Sequence, residues 1–216
     1  YFFMIKIAPS VLSADFSRLG DELVKIEQAG AEYVHLDVMD GVFVPNITFG
    51  APIIKCLRPY SKMIFDAHLM ITNAKKFIDD FVDAGCDYIT FHYESTDDPL
   101  ETIRLIRDKG AKPGISIKPK THVGDIFDLL PYLDLVLVMS VEPGFGGQSF
   151  MPEALPKIRK LKEVREERGY NFLISVDGGI NAETAKLVKQ AGVDIIVAGS
   201  SIFGKSDYNK AIDELR

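Results

Sequence analysis

Cysteine is scarce in this 216-residue sequence: Cys56 and Cys86 cannot build a disulfide framework, and their spacing matches no metal finger. A basic excess is also missing. The 25 lysines and arginines stand against 31 acidic residues, a net charge of −6 with no basic cluster, which argues against a nucleic-acid partner. No apolar run approaches the roughly 20 residues of a membrane span, so no membrane partner is expected. The opening Tyr1-Phe2-Phe3-Met4-Ile5-Lys6-Ile7 carries no signal-peptide pattern, and the three residues before Met4 read as a remnant ahead of a natural start. With 26% charged residues, 17 Gly and 11 Pro, neither disorder nor a low-complexity fibre fits. What is present is 47% apolar content, enough at this length for one core that buries roughly 70% of the unfolded surface. These features predict a soluble, cytoplasmic protein with one domain over 1–216.

Three segments repeat the pattern Ala-Gly-x-acidic-apolar-apolar: Ala29-Gly30-Ala31-Glu32-Tyr33-Val34, Ala84-Gly85-Cys86-Asp87-Tyr88-Ile89 and Ala191-Gly192-Val193-Asp194-Ile195-Ile196. In each, a helical pattern ends at the glycine, which takes a left-handed cap without strain, and a strand follows at once. The intervals of 55 and 107 residues correspond to two and four units of about 27 residues, and eight such units fill the chain. Eight strand–helix units make an α/β (β/α)8 TIM barrel.

Apolar runs suited to strands buried on both faces lie at 4–8, 33–39, 63–69, 88–92, 113–117, 135–140, 172–177 and 195–199. Helical spacing separates them. Ala74, Phe77, Ile78, Phe81 and Val82 predict a helix capped by Thr72 or Asn73. The charged stretch 157–168, with Ile158, Leu161 and Val164 as its apolar stripe, reads as a solvated helix with internal charge pairs.

Reactive groups of such barrels gather at the C-terminal strand ends. Side chains alternate along a strand, so an outward Val34, Leu36 and Val38 turn His35, Asp37 and Met39 inward. The third strand likewise aligns Asp66, His68 and Met70, and the seventh ends at Asp177. A single inward histidine or aspartate is most simply a satisfied core group. Four together need a shared partner, and a divalent cation held by His35, Asp37, His68 and Asp177 meets that need. Imidazole and carboxylate suit Zn, Mn, Fe or Co without choosing among them. Asp66 and His92 stand as candidates to orient those ligands from behind. His122 falls in a loop, and Asp40 lies off the inward face.

Gly144, Phe145, Gly146 and Gly147 follow strand six, Gly178 and Gly179 follow strand seven, and Gly199 and Ser200 follow strand eight. Each alone could be a tight turn. Together at adjacent strands they form a candidate cradle of backbone donors for a phosphate, despite the acidic total. Segment 144–147 could also act as a lid. Met39, Met70 and Met139 each close the apolar run of a strand, either as core filler or as an apolar ceiling that excludes water.

The chain resembles the ribulose-phosphate 3-epimerase family, a group of ribulose-phosphate-binding barrels. The resemblance rests on Ala8-Pro9-Ser10-Val11-Leu12-Ser13-Ala14-Asp15, His35-Leu36-Asp37-Val38-Met39-Asp40-Gly41, Phe43-Val44-Pro45-Asn46, Asp66-Ala67-His68-Leu69-Met70, Glu142-Pro143-Gly144-Phe145-Gly146-Gly147-Gln148 and Val176-Asp177-Gly178-Gly179-Ile180. It implies metal ligands at His35, Asp37, His68 and Asp177, with zinc the first expectation and Fe, Mn or Co as alternatives. Asp37 and Asp177 would be the acid/base pair, Ser10 a substrate contact, and Gly144 to Gly147, Gly178, Gly179, Gly199 and Ser200 the phosphate contacts. Val42 stands where many relatives carry His, and Ser149 where Lys is frequent; neither is a ligand.

The implied reaction interconverts D-ribulose 5-phosphate and D-xylulose 5-phosphate in the pentose phosphate pathway. One carboxylate removes the C3 proton and the other returns one to the opposite face, through a cis-enediolate. The implied partner is a phosphorylated ketose, with copies of the chain associating as a homo-oligomer. Three rivals are weighed. A hexulose-6-phosphate 3-epimerase would run the same chemistry on a six-carbon chain. A phosphate-barrel lyase would carry Asp-x-Lys-x-x-Asp along a strand, but Met39 stands where that lysine would be. A sugar-phosphate sensor would keep the glycines without opposed carboxylates.

Overall fold

The computed structural model describes residues 4–216, so the segment read as a remnant before Met4 lies outside the described residues. Among the described residues, eight strands form one parallel sheet in which β8 returns to β1. They are β1 (Lys6–Pro9), β2 (Tyr33–Met39), β3 (Ile64–Met70), β4 (Tyr88–His92), β5 (Lys112–Ile117), β6 (Leu135–Met139), β7 (Leu173–Asp177) and β8 (Ile195–Ala198). The seam between β1 and β2 closes through a bridge of Ser10 to His35 and the Glu32 N–H donating to the Ile7 carbonyl at 3.3 Å. This is the (β/α)8 barrel that the repeat spacing predicts.

Around it lie α1 (Leu19–Gln28), α2 (Ala51–Leu57), α3 (Ile78–Asp83), α4 (Pro99–Asp108), α5 (Ala154–Arg168), α6 (Ala182–Ala191), α7 (Ser200–Phe203) and α8 (Tyr208–Asp213). Two 3-10 turns, Val123–Ile126 and Leu130–Tyr132, fill the β5–β6 crossover instead of an α-helix. Gly124 and Pro131 lie within those turns, and both residue types oppose a longer helix. The outward strand residues, such as Val34, Leu36, Phe65, Ile89 and Val136, pack with the helices in the main core. Each such side chain contributes roughly 1.5–3 kcal/mol through burial.

The repeated glycines Gly30, Gly85 and Gly192 have φ of 90°, 92° and 109°, the left-handed turns expected of them. The acidic residue two positions on has a structural task at the strand start. Glu32 accepts the Ile7 N–H at 2.9 Å, Asp87 the Phe65 N–H at 2.8 Å and Asp194 the Ile174 N–H at 2.7 Å. Arg216, Arg58 and Arg165 neutralise these three carboxylates in turn. The repeat therefore fixes strand register at the end of the barrel opposite the mouth.

The third helix differs from its sequence pattern. It begins as a 3-10 turn, Ala74–Phe77, behind an Asn73 at φ 53° whose side chain makes no capping bond. Thr72 does not cap either: its N–H and hydroxyl both donate to Asp40. Three residues per turn rotate Phe77 off the apolar stripe and leave it 37% exposed, while Ala74, Ile78 and Phe81 are buried. In α5, Ile158, Leu161 and Val164 are buried and Lys160 pairs with Glu163 at 3.0 Å, as the charged stretch predicts.

Candidate active site

The pleat of β2 and β3 sends His35, Asp37, Asp66 and His68 into the barrel, where all four are buried. Asp177 joins them from the end of β7 with 19% of its side chain exposed. His35 Nε2 lies 3.3 Å from Asp37 Oδ1, 3.3 Å from His68 Nδ1 and 3.7 Å from Asp177 Oδ2. His68 Nδ1 lies 3.0 Å from Asp37 Oδ1 and 3.8 Å from Asp177 Oδ2. One atom from each of four residues thus converges on a common point, the arrangement of a metal site.

These separations test the fit to a cation. Bonds of about 2.0–2.2 Å to imidazole and carboxylate would set tetrahedral ligand atoms roughly 3.3–3.6 Å apart, within the span of the observed distances. The donor chemistry agrees. Asp66 Oδ2 sits 2.9 Å from His35 Nδ1, so the carboxylate accepts the Nδ1–H and aims Nε2 at the cluster, where its lone pair would serve a cation. The group fits one divalent cation.

Without one, the cluster is electrostatically frustrated. Burial alone would depress the His35 imidazole, but the charges of Asp37 and Asp66 outweigh it and raise it well above the ordinary histidine range. Burial and the Asp37 charge push the Asp177 carboxyl up to about 6. Asp37 is also desolvated, yet His35 and His68 together hold its carboxyl well below the usual range. Two carboxylates of one cavity are therefore driven apart, one toward base and one toward acid.

Above this floor opens a cavity of about 800 Å³. Ser10, Met39, Met70, Met139, Gly144, Phe145, Gly146, Gly147, Gly178, Gly179, Gly199 and Ser200 all line it, together with Asp37 and Asp177. His35 and His68 lie beneath, fully enclosed. Met39 and Met70 are register partners and form one apolar cluster with Val44, while Met139 sits across the mouth with Val141. Met139 is the register neighbour of Asp177, and all three methionines line the same cavity.

The glycine segments differ in what they offer. The N–H groups of Glu183 and Thr184 at the start of α6 are taken by the Asn181 side chain, so that end is closed. The start of α7 after Gly199 has no side-chain cap, and Gly199, Ser200 and Ser201 line the cavity. Gly179, at φ 65°, must be glycine, because a Cβ there would meet the Phe150 nitrogen at 2.3 Å. The loop of Gly144 to Gly147 is held by Asn46, which donates to the Gly144 carbonyl at 3.0 Å, and by Gln148, which donates to the carbonyls of Glu142 and Phe145.

A family model described as the ribulose-phosphate 3 epimerase family matches residues 6–203. The chain belongs to that family. It is 48% identical over 214 residues to a ribulose-phosphate 3-epimerase of Bacillus subtilis (strain 168), covering 99% of each chain. It is 51% identical over 197 residues to one of Treponema pallidum (strain Nichols), covering 91% of this chain and 90% of that one. A crystal structure of KGPDC from Streptococcus mutans superposes with a TM-score of 0.74 over 98% of this chain and 97% of that one. At 16% identity that likeness shows the barrel fold alone.

Several residues around the site carry no sequence signal. Ser140 donates to the Gly178 carbonyl at 2.6 Å, and Thr48 donates to the Asp37 carbonyl at 2.6 Å while accepting the Met39 N–H. Thr90 donates to Asp66 at 3.2 Å, and Glu94 sits 3.0 Å from His92 Nδ1. Hydroxyls that brace a backbone have no motif; only the inward parity of Thr90 on β4 was readable. His122 caps its own turn by accepting the Gly124 N–H at 3.1 Å, and Asp40 accepts the Val42 and Phe43 N–H groups at 2.9 Å, so both are loop residues.

Proposed function

We propose that this barrel interconverts D-ribulose 5-phosphate and D-xylulose 5-phosphate at C3, with Asp37 and Asp177 as opposed proton carriers. The observation that carries the reading is the approach of both carboxylates, from different walls, to the same two imidazole nitrogens. Asp37, kept ionised by its histidines, removes the C3 proton from one face. Asp177, on the opposite wall, delivers a proton to the other face, and the roles exchange in the reverse direction. His35, Asp37, His68 and Asp177 would hold one divalent cation, zinc first among Zn, Fe, Mn and Co. Bound there, it would supply Lewis-acid stabilisation of the negative charge that develops on the substrate oxygens.

Phosphate recognition falls to the open N–H groups after Gly199, at Ser200, and to the backbone of Gly144, Phe145, Gly146, Gly147, Gly178 and Gly179. Ser10, Met39, Met70 and Met139 would face the sugar chain, the methionines keeping water from the deprotonated carbon. The free thiols of Cys56 and Cys86 support a reducing, cytoplasmic setting. Among the described residues no helix is long and apolar enough to cross a membrane. Self-association is supported by the exposed Val42 and Ile47 on the loop after β2, Ile53 on α2 and Phe77.

The test is exchange of the substrate's C3 hydrogen in D2O, followed by NMR. Asp37→Asn and Asp177→Asn should each cut turnover by more than the ~10²–10⁴-fold typical of a lost acid or base, because ligation suffers too. Near-normal turnover in both variants with metal still bound would remove the two-carboxylate scheme.

A further inference from the structure

We propose that Glu94 is a positioning residue: acting through His92, it holds a proton on His68 Nε2 and so frees His68 Nδ1 for a cation bound in the cluster. The inference rests on the metal reading of the site given above. It begins from an unusual contact. The Nε2 atoms of His68 and His92 face each other at 2.8 Å, in rings tilted by 28° with centroids 5.0 Å apart. Two imidazoles can share such a contact only if one Nε2 is protonated and the other is not.

The far end of the chain decides which. His92 Nδ1 lies 3.0 Å from Glu94 Oε2. The other oxygen of Glu94 accepts the Lys118 N–H at 2.6 Å and the Thr121 hydroxyl at 2.5 Å. An ionised carboxylate only accepts, so His92 must carry its proton on Nδ1. His92 Nε2 is then bare and accepts from His68 Nε2–H. With a cation bound, that leaves His68 Nδ1 bare to ligate; without one, Nδ1 stands 3.0 Å from Asp37 Oδ1 and carries a proton to donate there. Asp66 sets His35 in one step and Glu94 sets His68 in two. The Lys118–Thr121 loop is itself anchored by Lys157, which donates to the carbonyls of Lys118, Pro119 and Thr121.

Glu94→Gln separates this role from mere packing. The Lys118 N–H is a fixed donor, so the amide oxygen must stay with it and the NH2 group must turn to His92. The relay then reverses: His92 accepts at Nδ1 and donates from Nε2, and His68 is driven to the Nδ1–H form that cannot ligate. Thr121→Val loosens the same loop without changing the polarity of Glu94.

The experiment combines zinc affinity by chelator competition with nitrogen-15 histidine NMR of the metal-free protein at pH 8. Glu94→Gln should bind zinc roughly 10–100-fold more weakly and move the His92 proton from Nδ1 to Nε2. Thr121→Val should stay near wild type in both. Zinc affinity unchanged by Glu94→Gln, with His92 still protonated at Nδ1, overturns the relay. Equal weakening in both variants with no change of tautomer also overturns it and makes Glu94 a loop fastener. If the wild type takes up no zinc while His92 still switches tautomer in Glu94→Gln, the relay stands and the metal reading of the site falls.

Discussion

The hydroxyl of Ser10 donates to Oδ2 of Asp37 at 2.5 Å, across the seam where β1 meets β2. Asp37 thereby splits its two oxygens: Oδ1 faces the histidines and Oδ2 is held from the opposite side. Ser10 serves the proposed base as well as lining the cavity. Ser10→Ala deletes a donor to a buried carboxylate, a bond of about 1.5–3 kcal/mol. Steady-state kinetics should show kcat/KM lower by roughly 10–150-fold. Retention within twofold would mean that the bond does not hold Asp37 in its working position.

The four candidate ligands come from β2, β3 and β7, so a cation bound among them ties separate walls of the barrel together. Stripping it with a chelator should lower the melting temperature. At a free metal concentration of about 100 times Kd the linkage is roughly 2.7 kcal/mol. For a chain of this size that corresponds to about 5–11 °C. Calorimetry before and after removal, then after adding back zinc, checks the shift. An unchanged melting temperature would detach the cluster from metal binding.

Much of the mouth was legible because a barrel converts sequence parity into direction. Once Val34, Leu36 and Val38 are outward, His35, Asp37 and Met39 have no other choice, and the same holds for Asp66, His68 and Met70. The strand ends were legible through glycine. The repeated acidic residues were visible as a pattern, but their task was not: an arginine and a neighbouring strand's N–H complete each one, and those partners are distant in the chain. Glu94 was illegible for a similar reason. Nothing near it marks it out until β4 brings His92 against His68. The 3-10 start that exposes Phe77 depends on Asp40 capturing Thr72, a contact across 32 residues.

Gly179 and Gly147 both have positive φ, 65° and 73°, yet differ in surroundings. Gly147 has nothing within 4 Å of an added Cβ, so Gly147→Ala should cost only the backbone term of about 1–2 kcal/mol. Gly179→Ala must also displace the Phe150 backbone. Its destabilisation in urea should exceed that of Gly147→Ala by about 1 kcal/mol or more. Equal costs would show that the loop over Gly179 yields freely.

Cys56 on α2 is exposed and Cys86 is buried. Burial pushes the Cys86 thiol up to about 12, and the charges of Asp66 and Asp87 add to the effect. At pH 8 a disulfide reagent should therefore modify one thiol quickly in the native protein and a second only after denaturation. Two thiols reacting at one fast rate would mean that the strand start at Cys86 opens readily.

Acid should weaken the fold in part through Glu94. Burial by itself would raise this carboxyl, but bonds from His92, Thr121 and the Lys118 N–H outweigh it and hold it at about 2 against an ordinary 4.5. Its folded value lies below its unfolded one, so its contribution is complete above about pH 4.5 and disappears as the pH falls toward 2. Urea titrations of the metal-free protein at pH 7, 4 and 2.5, with Glu94→Gln alongside, isolate that contribution. The glutamine cannot be protonated in this window, so the variant should start less stable at pH 7 and lose less on acidification. If wild type and variant fell in parallel, the acid sensitivity would belong to other carboxylates and the bonds to Glu94 would have no net weight in the folded state.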